Sequence, residues 1–274
     1  MADSWFRAAT RRAKAALIDT TRPNAARVGD YLEGGKDNFE ADRRAVRTLL
    51  AVAPVTATIA PALRAFHQRA LRYLIAEAGV RQFLDTGTGL GMTGNTHQVA
   101  QSLAPECRVV YADNDPMVLA HARALQASAP YRAVAAVDAD LSDPLAILSG
   151  AAEILDFRRP VAILMIATLT YVLDDAAAAE IMRSLAGAVP AGSYVALCHQ
   201  ASDLDEAMPA VARRWNAMSD QPIKLRSRAE LTAQLTGLEP VPPGLVPVMD
   251  WRPALDDPSF DVAVPIYGVV ARKP

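Results

Sequence analysis

At 274 residues the chain has room for one large α/β domain, or for one domain carrying a helical extension. Charged residues are 21% of it and the net charge is −2, so it lacks the basic footprint of a nucleic-acid binder. No apolar run approaches the ~18–20 residues of a membrane span. Two cysteines, Cys107 and Cys198, cannot build a disulfide framework and read as free, buried thiols in a reducing compartment.

The basic, mildly amphipathic opening has no continuous apolar stretch and no cleavage site, so it reads as a helix or a frayed start rather than a targeting signal. A cytoplasmic protein is expected. Residues 42–78 are rich in Ala, Leu and Arg with helical periodicity, interrupted at Pro54 and Pro61. Leu63, Phe66, Ala70 and Leu74 recur every three or four positions and form one apolar face. Gly79 stands where a C-terminal cap belongs. Strands and helices then alternate. Strands are expected at residues 81–85, 108–112, 132–137, 161–167 and 193–198. Between them fall a helix ending near Leu103, one opened by Pro116, a short one from Pro144 and one over residues 174–188. This rhythm predicts an α/β fold, a Rossmann-like sheet with helices on both faces, binding ligands beyond the carboxyl ends of its strands. The prolines crowded between Pro240 and Pro265 predict loops and an antiparallel edge, with a last strand at residues 267–271.

Three motifs carry chemistry. Gln82 to Gly91, QFLDTGTGLG, runs a strand into Asp85-Thr86-Gly87-Thr88-Gly89 and then a helix. Such a turn lets backbone approach a ligand closely and presents free N–H groups. The third glycine of the dinucleotide fingerprint is missing, which argues against nicotinamide. In VVYADNDP, Asp113 ends the second strand, 28 residues after Asp85, and either accepts both hydroxyls of a ribose or caps a helix. Ribose binding is favoured, because Asp115 is better placed to cap the helix that Pro116 begins. In VDADLSDP, Asp140 follows the third strand and could accept from an adenine amino group, with Asp138 as its rival and Ser142 or Asp143 as the next cap. Thr88, Asn114, Leu141 and Ala167 stand at the same strand ends and are expected to line the site.

In this order the three motifs resemble a class I S-adenosylmethionine (AdoMet) methyltransferase. The stretch IDTTRPNAARVGDYLEGGKDNFEADR, residues 18–43, is similar to the opening signature of an actinomycete methyltransferase family formerly listed as a domain of unknown function. The resemblance continues through LTYVLDD, PAGSYVALCHQ, GLEPVPPGLVPVMDWRP and YGVVARK, and covers nearly the whole chain from Ile18. It implies AdoMet as cofactor, a helical lid over residues 1–80 and a Rossmann-like domain over 81–274. Tyr31, Gly34, Gly35, Lys36, Asn38 and Phe39 match the signature and are implied to close over the cofactor, although a Gly-Gly pair is also ordinary turn punctuation. The chain departs from the family's common pattern at Leu90-Gly91 (Leu-Pro), Leu169-Thr170 (Leu-His) and Leu63-Arg64 (Asn-Arg).

Methyl transfer needs a positioned nucleophile and, for some acceptors, a base. His199, after the fifth strand, is the leading candidate, with a histidine bonded to neighbouring backbone as the alternative. Tyr31 is a second candidate acid/base. His97, near Thr93, Asn95 and Thr96, could orient the cofactor carboxylate or be structural. His67 and His121 receive no role, and no cluster has metal-ligand spacing. The expected substrate is a small molecule of specialised metabolism, and a homodimer is possible. An AdoMet enzyme catalysing ring closure and a non-catalytic AdoMet binder are the competing readings.

Overall fold

The structure, a computed structural model, describes residues 18–90, 94–128 and 133–274. The basic N-terminal stretch, Gly91, Thr93 and the start of the third strand at Arg132 lie outside the described residues. Helices α1 (Ala25–Leu32), α2 (Glu40–Val52) and α3 (Ile59–Ala76) precede β1 (Gln82–Thr86). There follow α4 (Thr96–Leu103), β2 (Arg108–Asp113), α5 (Pro116–Ser128), β3 (Val134–Asp138) and α6 (Pro144–Ala151). The chain continues through β4 (Ala162–Ile166), α7 (Asp175–Gly187), β5 (Tyr194–Gln200), α8 (Met208–Met218) and α9 (Arg228–Gln234). Two short strands, β6 (Glu239–Pro240) and β7 (Val246–Pro247), lead to β8 (Ile266–Arg272).

The sheet order is β3-β2-β1-β4-β5-β8-β6, with β7 also on β8. The first five strands pair in parallel and β8 runs antiparallel along β5, from Tyr194 opposite Arg272 to Gln200 opposite Ile266. The chain winds outward from β1 to β3, then returns to lay β4 on the other side of β1. That reversal opens a crevice between the carboxyl ends of β1 and β4.

Strand residues alternate between two cores. Phe83, Val109, Leu164 and Cys198 point to the layer that holds α3, while Leu84, Val110, Met165 and Leu197 point to the layer of α6 and α7. Both faces are therefore covered, and the strands read as continuous apolar runs. A third, smaller core lies apart from these, where Val28 of α1 and Val46 and Leu49 of α2 pack on Met208, Val211 and Trp215 of α8.

The segment before β1 thus divides between two places. Phe66, Ala70 and Leu74 of α3 are fully buried against the sheet, while α1 and α2 join α8 in the third core. Pro61 interrupts nothing, because it falls in the first turn of α3, where its missing N–H has no intrahelical partner to lose. Gly79 ends the segment with φ +71°. Among the described residues no helix is long and apolar enough to cross a membrane.

Candidate active site

A cavity of about 810 Å³ opens at the crevice between β1 and β4. Pockets for drug-sized ligands occupy roughly 300–1,000 Å³, so this one takes a large ligand or two smaller ones. Its floor is made by the loops after β1, β2, β3 and β4, and its roof by α1, α3 and α8.

The floor carries the motif residues. Gly87 and Gly89 have φ of +71° and +65°, the left-handed region that side chains disfavour. A Cβ on Gly87 would also overlap the methyl of Thr168, so this turn packs backbone against the loop after β4. Asp85 is buried, and its Oδ2 accepts from the Thr96 hydroxyl. Burial pushes Asp85 up to about 6 against the hydrogen bonds from Thr96 and Thr88. Asp113, at the end of β2, is likewise raised to about 6 by burial, and accepts from the Asp115 N–H at 2.9 Å. Asp115 itself caps α5 through the N–H groups of Met117 and Val118.

Asn114 donates to Asp140, whose other oxygen accepts from Ser142 N–H and Oγ; that Ser142 hydroxyl bond leads in holding Asp140 below the usual carboxylate range. Thr88, Asn114, Asp140, Leu141 and Ala167 all line the cavity, whereas Asp138 is exposed and does not. Asp143 caps α6 through Ala146 N–H. Ala167 sits at φ +59° directly after β4, a conformation that costs an alanine about 1–2 kcal/mol. Such strain persists where the surroundings enforce it, and it concentrates at ligand sites.

Several residues singled out in the sequence are placed elsewhere. His199 is fully buried and does not line the cavity. Its Nδ1 faces the Gln200 carbonyl at 2.9 Å and its Nε2 faces the Arg226 guanidinium at 2.9 Å, so neither nitrogen can reach a substrate. Burial lowers its pKa to about 4, and as a neutral ring it anchors Arg226, which also bonds Leu169 O, Val172 O and Asp175. The position after it, Gln200, is the one that reaches the cavity. His97 stacks edge-on to Tyr111 and shares hydrogen bonds with its hydroxyl, a structural pairing.

Tyr31, Gly35, Lys36 and Asn38 do not line the cavity either. Gly29, Leu32 and Glu33 do, being spaced three and four apart on one face of α1 and its end. Tyr31 lies two residues from Gly29, about 200° round the helix, and packs on the third core. Lys36 is exposed. Asn38 and the backbone N–H of Asp37 both donate to Asp30 Oδ2, at 2.8 and 2.9 Å, so the signature builds a turn around a buried carboxylate.

Other cavity residues gave no motif. Ile59, Leu63 and His67 fall four apart on the face of α3 that looks into the cavity, with Arg64 beside them. Helical periodicity alone could have grouped them. His67 Nε2 lies 2.8 Å from Thr96 Oγ1, and burial lowers its pKa to about 4, helped by the Arg64 charge. Arg64 pairs with Glu33, tying α3 to α1. Of the sequence departures, Leu63, Arg64 and Leu90 line the cavity, while Leu169 and Thr170 are buried away from it.

The chain matches the S-adenosyl methyltransferase family over residues 11–274. It belongs to that family. A DUF574 family protein of Streptomyces avermitilis is 42% identical over 94% of this chain and 100% of its own, with a TM-score of 0.89. A protein of Thermobifida fusca, described as a candidate methyltransferase, is 36% identical over 93% of this chain and 96% of its own, with a TM-score of 0.86. The mitomycin 7-O-methyltransferase MmcR shares the fold at 18% identity, over 80% of this chain and 56% of its own, with a TM-score of 0.51. No curated protein matches the chain.

The methyltransferase therefore uses AdoMet, and its cavity floor fits that group. The Gly87 turn packs its backbone against Thr168, whose Oγ1 is buried without a protein partner and whose residue lines the cavity. Two carboxylates held above their usual range, Asp85 buried and Asp113 half-buried, favour a ligand that brings hydroxyl donors and positive charge.

Proposed function

We propose that this methyltransferase transfers its methyl group to a small molecule held in the same cavity, against the helical roof. The observation that carries the reading is the two-sided lining. Polar groups converge on the strand ends, while Leu32, Leu49, Leu63, Met208, Val211 and Trp215 form an apolar wall above them. A wall of this kind recognises an apolar body by burial, at about 25 cal/mol per Å² removed from water.

When bound, the cofactor supplies an electrophilic methyl on a sulfonium centre. Asp113 is assigned to the ribose hydroxyls, and Asn114, Asp140 and Leu141 to the adenine end. The Gly87–Gly89 backbone and the Asp85–Thr96 pair are assigned to the amino-acid end. The roof excludes water and orients the acceptor, a contribution that can amount to several kcal/mol through proximity alone. Asn24 donates to Asp115 at 2.8 Å, and Glu33 pairs with Arg64. These two links, one to the loop after β2 and one to α3, are assigned as the catches of a lid formed by α1.

Neighbouring genes of a biosynthetic cluster would place the acceptor in specialised metabolism. The test is incubation of the enzyme with AdoMet and small-molecule extracts, followed by mass measurement. A product heavier by one methyl is expected. Consumption of AdoMet with no methylated product would overturn the reading.

A further inference from the structure

The face of α3 that lines the cavity changes character along its length. Ile59 stands against the third core, Leu63 follows one turn on, and His67 ends the stripe beside Thr96 and Asp85. Eight residues separate Ile59 from His67, about 12 Å along the helix at 1.5 Å per residue. An apolar body lying on this stripe, with Met208, Val211 and Trp215 across from it, would bring its near end to the imidazole.

The hydrogen-bond chain decides which nitrogen that end would meet. Thr96 has one hydroxyl proton, and it is given to Asp85 Oδ2. The Thr96 oxygen can then only accept from His67 Nε2, 2.8 Å away. Nε2 therefore carries the ring proton, and Nδ1 keeps a bare lone pair. Among the described residues Nδ1 has no hydrogen-bond partner, while the side chain lines the cavity. The ring is neutral near pH 7, as a proton acceptor must be.

We propose that the acceptor is a hydroxyl-bearing molecule with an apolar, ring-sized body lying along α3, and that His67 Nδ1 takes the hydroxyl proton as the oxygen is methylated. The proposal rests on the methyl-transfer reading of the same cavity. The acceptor oxygen bonds to the methyl carbon with one lone pair. The electrons of the broken carbon–sulfur bond return to sulfur, leaving a neutral thioether, and the O–H electrons stay on oxygen as the proton passes to Nδ1. Positive charge thus moves from sulfonium to imidazolium, where Asp85 stabilises it through Thr96. An ammonium nitrogen has no lone pair with which to attack the methyl carbon, so it is not the acceptor. A carboxylate acceptor has no proton to remove.

The test uses the enzyme saturated with S-adenosylhomocysteine, with 2-naphthol as probe and naphthalene as its hydroxyl-free control. Nitrogen-15 NMR of labelled histidine should show His67 protonated at Nε2, and 2-naphthol should shift the Nδ1 resonance while naphthalene leaves it in place. With AdoMet, His67→Gln and His67→Leu should lower kcat for naphthol methylation by about 100-fold with KM changed less than about threefold. S-adenosylhomocysteine affinity should stay within threefold of the parent. A ring protonated at Nδ1, naphthol binding without an Nδ1 shift, no naphthol binding to the loaded enzyme, or an undiminished kcat in either variant would each overturn the proposal. Failure of S-adenosylhomocysteine to bind would instead sink the methyl-transfer reading beneath it.

Discussion

The two adjacent glycines of the signature should fail for different reasons when replaced by alanine. Gly34 has φ +81° and open space around it, so Gly34→Ala costs only the left-handed conformation, about 1–2 kcal/mol. Gly35 has no such φ, but a Cβ there would fall inside the Asp30 carboxyl group. Asp30 is buried and accepts from Asp37 N–H and Asn38 Nδ2. Hydrogen bonds to a charged group contribute roughly 1.5–3 kcal/mol each. Expelling the carboxylate from one of them costs about 2 kcal/mol, and from both about 4 kcal/mol. Urea unfolding of Gly35→Ala should show a loss in that range. In an Asp30→Ala background the clash is gone, so the same substitution should cost under about 0.5 kcal/mol, far outside ordinary additivity. A double-mutant cycle in which the two substitutions simply add would refute the argument that Gly35 exists to seat Asp30.

Gly87→Ala, which meets both a positive φ and Thr168, should abolish S-adenosylhomocysteine binding in calorimetry while circular dichroism stays native; normal affinity would remove the turn from the site. Asp85 and Asp113 are both raised to about 6, so each binds its proton more tightly folded than unfolded. Their contribution to stability is therefore greatest at acid pH and is lost as pH rises from about 4 through about 6, whereas cofactor affinity should fall below pH 6; a flat affinity from pH 7.5 to 5 would contradict the assigned ionised carboxylates. Hydrogen exchange should slow over residues 25–33 when S-adenosylhomocysteine is added, with residues 35–39 changing less, because α1 and not the Gly-Gly turn faces the cavity. Equal protection with and without the ligand would mean that α1 is not a lid.

The floor of the site was legible because each of its residues is fixed by a strand end, and strand ends follow from local patterns. Asp85 and Asp113 stand at the ends of their strands, and Gly87 and Asp140 just beyond theirs, each following an apolar run. The roof was not legible in the same way. Tyr31, Lys36 and Asn38 carry the chemistry a reader looks for, yet the cavity face of α1 is chosen by helical phase, which sets Gly29 and Glu33 inward. His199 also sits at a strand end, but its neighbour across the loop is Arg226, 27 positions later, and no local pattern announces that partner. His67 was hidden for the opposite reason. Its helix reads as a core helix, and only the meeting of α3 with the Thr96 turn makes the imidazole part of a site.

The most direct measurement is calorimetric titration of S-adenosylhomocysteine into the enzyme and its Asp113→Ala variant at pH 7.5. The ribose is assigned to the half-buried Asp113 at the end of β2, whose loss removes two hydrogen bonds to a charged group. One site per chain is predicted for the parent, with affinity at least about 30-fold weaker in the variant, the roughly 2 kcal/mol that even one such hydrogen bond contributes. Equal affinity in the two proteins, or no binding to the parent, would contradict the placement of the cofactor in this cavity.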